Sequence, residues 1–172
     1  MDDVRLIEPT AFLEKEYNEM LSEWHHTGES LVPFILKYDS SDFEKLINLI
    51  KGFKKGINIP DSFVPHSTFW LVNRDNKILG VVNIRHSLTD SLRKDGGHIG
   101  YGIRPLERRM GYATRILKLA LNEAKKLGIT QALVTCDKDN IGSEKTILKN
   151  KGIFNQEYIV DGGIKLSFWI EI

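Results

Sequence analysis

Residues His98 to Gly128 read HIGYGIRPLERRMGYATRILKLALNEAKKLG, and their order decides the fold. The run His98 to Ile103 has the length and composition of a strand, and a basic turn ending in a glycine, Arg108 to Gly111, follows it. From Gly111 to about Leu127 apolar residues return at helical spacing. Ile116, Leu117, Ala120, Leu121, Ala124 and Leu127 share one side, while Arg115, Lys118, Asn122 and Lys125 take the other. Gly128 stands where helices commonly stop. Strand, turn and helix in this order present the first helical amides, which have no partner inside the helix, at the end of a dipole that favours anions. The backbone from Arg109 through Met110, Gly111, Tyr112 and Ala113 to Thr114 is the expected donor array. Arg108 and Arg109 add charge, Gly111 and Ala113 keep side-chain bulk away, and Thr114 adds a hydroxyl. The plainer reading of the same residues is a solvated helix cap.

Downstream, Gln131 to Cys136 is a buried-looking strand. Because it follows a helical crossover, it is expected to pair in parallel with His98 to Ile103. Asn140 begins a helix to about Asn150, and strands at Ile153 to Val160 and Ile164 to Ile170 close around Asp161-Gly162-Gly163. Upstream, Ser67 to Val72 and Ile78 to Arg85 form a hairpin across Asn73 to Asn76, and a helical turn is expected at Thr89 or Asp90. Val4 to Ile7 reads as a short strand. Thr10 then caps a helix to Trp24 or His25 whose inward face includes Phe12, Leu13, Tyr17, Met20, Leu21 and Trp24. Ser40 or Ser41 caps a second helix, with Phe43, Leu46, Ile47 and Ile50 inward. The sum is an α/β fold over one domain, residues 1–172, with a mixed, mostly antiparallel sheet flanked by helices.

Composition sets outer limits. With 172 residues, 24 Lys plus Arg against 23 Asp plus Glu and a net charge of +1, the chain has no overall field to draw nucleic acid or an anionic membrane. Any anion site must be local. The acidic start MDDVRLIEPT differs from a signal peptide, no run approaches the length of a membrane span, and Cys136 is the lone cysteine, so a cytoplasmic protein is expected. His25 and His26 are adjacent and diverge on a helix, no Cys/His cluster has zinc spacing, and no phosphate-binding G-x-x-x-x-G-K-[ST] occurs.

The segment Arg108-Arg109-Met110-Gly111-Tyr112-Ala113 resembles the acyl-CoA-binding motif [Q/R]-x-x-G-x-[G/A] of the GNAT superfamily of N-acetyltransferases, with Arg108, Gly111 and Ala113 at its fixed places. The element order from the hairpin to the C-terminus also matches that fold; the first sixty or so residues match it loosely. The resemblance implies splayed central parallel strands between which the acyl-CoA arm adds to the sheet, lined by Tyr101 to Ile103 on one side and Thr135 to Cys136 on the other. It implies cofactor contacts at Ile103, along Arg108 to Thr114, and at Asn140 and Ser143, with acetyl-CoA as co-substrate and no metal. Gly100 and Gly102 inside the strand would suit either a bulge or a close backbone approach.

The chemistry is less complete. An amine attacking a thioester must lose a proton, and the departing thiolate gains from a nearby acid. Family members commonly carry a Tyr seven residues after the Asn as that acid; here the position is Ile147. His98 as base and Tyr101 as donor are the substitutes on the motif strand. The expected function is acetyl transfer to a primary amine of a small-molecule or peptide acceptor, with neither nucleic acid nor membrane as partner and a homodimer compatible with the chain. The alternative is an acyl-CoA-binding module without catalysis, for which Ile147 speaks.

Overall fold

The computed structural model describes residues 3–172; Met1 and Asp2 of the acidic start lie outside the described residues. In chain order the elements are β1 (Arg5–Ile7), α1 (Glu14–Thr27), α2 (Phe43–Lys54), β2 (His66–Val72), β3 (Ile78–Arg85), α3 (Asp90–Lys94), β4 (Ile99–Ile103), α4 (Tyr112–Lys126), β5 (Gln131–Asp137), α5 (Ile141–Lys149), β6 (Ile153–Val160) and β7 (Gly163–Glu171). They form two antiparallel sheets, β1-β2-β3-β4 and β5-β7-β6.

The helical stripe read from the sequence is what joins them. Ile116, Leu117, Ala120 and Ala124 of α4 are fully buried, in one cluster with Leu71, Val82 and Ile84 of the first sheet and Ala132, Val134, Phe168 and Ile170 of the second. The opposite face of the first sheet, with Trp70, Val72, Ile78 and Val81, is covered by Tyr17, Met20 and Trp24 of α1 and Phe43, Leu46, Ile47 and Phe53 of α2. Covered on both faces, β2 and β3 are buried along their whole length up to Ile84, His66, Ser67, Thr68 and Asn83 included, instead of alternating buried with exposed. The β6–β7 turn places Asp161 and Gly162 at φ 49° and 78°, the left-handed pair that a tight two-residue hairpin needs.

Four expectations are corrected. Phe12 points to solvent, 85% exposed, because Thr10 caps a 3₁₀ turn, Ala11–Leu13, that rotates the phase before α1 begins. The cap of α2 is Asp42, whose Oδ1 accepts from the Lys45 amide at 3.0 Å, while Ser41 donates to Asp39. Leu127 lies past the last helical turn and is half-exposed, and Ile129 takes the inward place. Most consequential, β5 does not pair with β4. Among the described residues the two strands share no ladder; they meet just before β4, where the His98 amide donates to Leu133 O at 2.7 Å and the His98 ring Nδ1 accepts from the Leu133 amide at 2.9 Å.

Candidate active site

A cleft of about 800 Å³ opens beside the outer edge of β4, the last strand of its sheet, bounded by the basic turn with the start of α4, by α5, and by the stretch from Trp24 to Val32. At its head the chain makes the turn with two left-handed residues, Arg109 at φ 64° and Gly111 at φ 86°. A side chain at Gly111 would meet nothing within 4 Å, so the glycine is required by its backbone conformation and not by crowding. The first helical bond is Arg115 N to Gly111 O, at 3.3 Å. Among the described residues no acceptor faces the amides of Arg109, Met110, Gly111, Ala113 or Thr114. Unsatisfied amides at a helix start, opening on a cleft with room for a ligand, fit a phosphate group.

Arg108 has a different environment. Its Nη1 and Nη2 donate to Glu29 Oε1 and Oε2 at 2.9 and 2.7 Å, its Nε donates to Ile103 O at 3.2 Å, and the guanidinium lies 5.4 Å from the Trp24 ring centroid. The hydrogen bond from Arg108 holds the Glu29 carboxyl below the usual carboxylate range. Gly28, left-handed at φ 69°, ends α1 and delivers Glu29 to this pair. The segment then runs across β4, so closely that a Cβ on Gly102 would stand 2.1 Å from Val32 O. The register between β3 and β4 is unbroken, so the reason for a glycine at 102 is close approach and not a bulge. A Cβ on Gly100 would come no closer than 3.7 Å to any neighbour, so Gly100 lacks this requirement.

On the far side, Asn140 caps α5, its Oδ1 accepting from the Ser143 amide at 3.0 Å, and both residues line the cleft. The Ser143 hydroxyl lies 3.0 Å from the Tyr101 hydroxyl. Burial pushes the Tyr101 phenol up to about 12, against the lowering effect of bonds to Ser143 and Thr146. At neutral pH Tyr101 therefore keeps its proton and can donate it.

Tyr101, Ile103, Arg108, Arg109, Gly111, Tyr112, Ala113, Thr114, Asn140 and Ser143 are brought together in this cleft. Met110 is 66% exposed and His98 lies elsewhere; neither lines it. His98 borders a shallow second hollow with Arg93 and Trp169, its Nδ1 lone pair is committed to the Leu133 amide, and burial with the nearby Arg93 and Arg85 charges pushes it down to about 4. A base needs a lone pair facing the substrate, and His98 has none to offer. Arg85 and His86 are likewise occupied, by Gly96 and Gly97 carbonyls and by Ser67. Burial pushes the Cys136 thiol up to about 11, which makes it inert as a nucleophile. Ile147 is fully buried in the main core.

Sequence reasoning missed one wall: Trp24, Glu29, Ser30 and Val32, together with Lys145 and Lys149 on α5. The apolar periodicity of α1 marks Trp24 as buried without revealing against what. For Glu29, 79 residues from Arg108, no local signal exists.

A sequence model described as the acetyltransferase (GNAT) family matches residues 17–152. No curated protein sequence matches the chain. Among solved structures, Mycobacterium smegmatis RimJ in complex with CoA-disulfide superposes with a TM-score of 0.72 at 16% identity, over 98% of this chain and 81% of that one. The microcin C7 self-immunity acetyltransferase MccE, in complex with acetyl-CoA and AMP, gives 0.71 at 17% identity, over 100% and 94%. Mutant forms of the Vibrio cholerae spermidine/spermine N-acetyltransferase SpeG give 0.62 at 12%, over 98% and 95%. At these identities the likeness is one of fold.

Proposed function

Because the chain belongs to the acetyltransferase (GNAT) family, we propose that it transfers an acetyl group from acetyl-CoA to a primary amine by direct attack in a ternary complex. The observation that carries this reading is the continuity of one cleft from the free amides of the basic turn to the protonated hydroxyl of Tyr101. The amides from Arg109 to Thr114 hold the donor's pyrophosphate. The outer edge of β4, ending at Ile103, offers main-chain groups to its arm, and Asn140 and Ser143 flank it. The thioester supplies an activated acetyl group; a C–N bond forms as the C–S bond breaks, and one proton passes from the amine to solvent or a base while the thiolate takes another. In this reading Tyr101 gives that second proton, the role that Ile147 cannot fill. Positioning and fixed dipoles supply most of the rate.

The acceptor is a small-molecule or peptide amine. Release of free thiol from acetyl-CoA, measured across a panel of spermidine, simple primary amines and peptides with free N-termini, is expected to show saturable turnover on at least one of them. A binding module without catalysis is the second reading, favoured by the buried Ile147. Tight acetyl-CoA binding with no turnover on any amine would select it.

A further inference from the structure

The cleft holds more positive charge than it neutralises. Its two carboxylates are matched within the protein: Glu29 pairs with Arg108, and Glu107 pairs with Lys77. Arg108 is engaged by Glu29, by Ile103 O and by the Trp24 face, so its side chain is a strut between the α1 end and the turn and leaves little charge for a ligand. Three further cations line the cleft, Arg109, Lys145 and Lys149, and none has an acidic partner among the described residues. Arg109, inside the turn, sits beside the amide array and belongs with the pyrophosphate. That leaves two lysines.

Lys145 and Lys149 are four residues apart and so share one face of α5. The helix that carries them is fixed. Asn140 caps its start, Thr146 and Ile147 are buried on its inner side, and Asn150 just beyond it donates from Nδ2 to Thr114 O at 3.2 Å, tying it to the first turn of α4. Two exposed lysines on a fixed helix thus line the same cleft as the turn, with no acidic partner among the described residues.

We propose that Lys145 and Lys149 form a second anion subsite, for a phosphomonoester on the nucleotide end of the acyl donor, and that they make the site select CoA over its 3′-dephospho form. This rests on the acetyl-CoA reading and adds a specificity to it. The turn amides recognise what the two ligands share; the α5 lysines recognise the phosphate that only CoA carries.

The test is calorimetric titration of the intact chain with CoA and with 3′-dephospho-CoA, at low and moderate salt. The wild-type protein is expected to prefer CoA about tenfold at low salt, the scale of one or two charge-assisted bonds. The preference should shrink as salt rises, since both lysines are exposed. Lys145→Gln with Lys149→Gln should bring CoA affinity down to that of the dephospho form and leave the latter unchanged, whereas Arg109→Gln should weaken both together. Equal binding of the two ligands by the wild type would overturn the proposal, as would a double variant that loses both ligands equally or neither. Failure of the wild type to bind either ligand would instead overturn the acetyl-CoA reading itself.

Discussion

At the scale of single residues, the structure separates two groups that stand three positions apart, Tyr101 within β4 and His98 just before it. Tyr101 reaches the cleft and keeps its proton; His98 turns its lone pair to a backbone amide outside it. The difference follows from position: Tyr101 sits in β4 beside the cleft, whereas His98 stands at the point where the second sheet touches the first and is held there by Leu133. Tyr101→Phe is expected to lower kcat about 100-fold, within the range of general acid–base effects, with acetyl-CoA affinity unchanged. Because the phenol stays protonated up to about 12, kcat should show no fall attributable to this group between pH 7 and 10. A Phe variant with full kcat would remove Tyr101 from the reaction.

Between elements, the decisive contact is the seat of the Gly28–Val32 segment on β4. It fixes one wall of the cleft, and its tightest point is Val32 O against Gly102, with the Trp24 ring edge beside it. Gly102→Ala would place a Cβ 2.1 Å from that carbonyl and 2.6 Å from Trp24 Cη2. Backbone cannot yield as a flexible side chain does, so a loss of about 2 kcal/mol or more is expected, read as a shift in the denaturant midpoint with unchanged slope. Gly100→Ala, whose Cβ would make only ordinary contacts at 3.7 Å and beyond, is the control and should cost much less. The half-exposed Arg108–Glu29 pair beside this seat adds little stability of its own; its role is to hold the wall to the turn.

Over the whole molecule, two buried histidines make stability depend on pH. His66, among Phe34, Phe53 and Phe63, and His98, between the two sheets, are both pushed down to about 4, first by burial and then by neighbouring charges. Unfolded, both would titrate near 6.5. Between these values the unfolded chain binds more protons, so the stabilisation is complete above about pH 6.5 and is lost as pH falls toward 4. The loss should be on the order of 2 kcal/mol for each ring. Thermal unfolding midpoints should therefore drop steeply from pH 6.5 to 4. In His98→Asn, whose Oδ1 can replace Nδ1 as acceptor from Leu133, the drop should be shallower; an equal slope would show that His98 does not contribute.

What the amino-acid order determined was local. The 3.6-residue stripe of α4, the glycine that the left-handed turn demands at 111, the Asn140 cap and the hairpin runs are all dictated by neighbours a few residues apart, and each stands where it was read. Phase errors at Phe12 and at the α2 cap were errors of one or two residues, where several capping residues compete for the same helix end. Only the tertiary structure decided that β4 and β5 part company, that Glu29 and Trp24 close the wall, that Arg108 is a strut, and that of two candidate catalytic side chains one faces the cleft. Those outcomes depend on contacts between residues far apart in the chain, 35 positions for Leu133 with His98 and 79 for Glu29 with Arg108. Such contacts are set by how two sheets and a helix pack as bodies, and no short-range propensity in the chain encodes them.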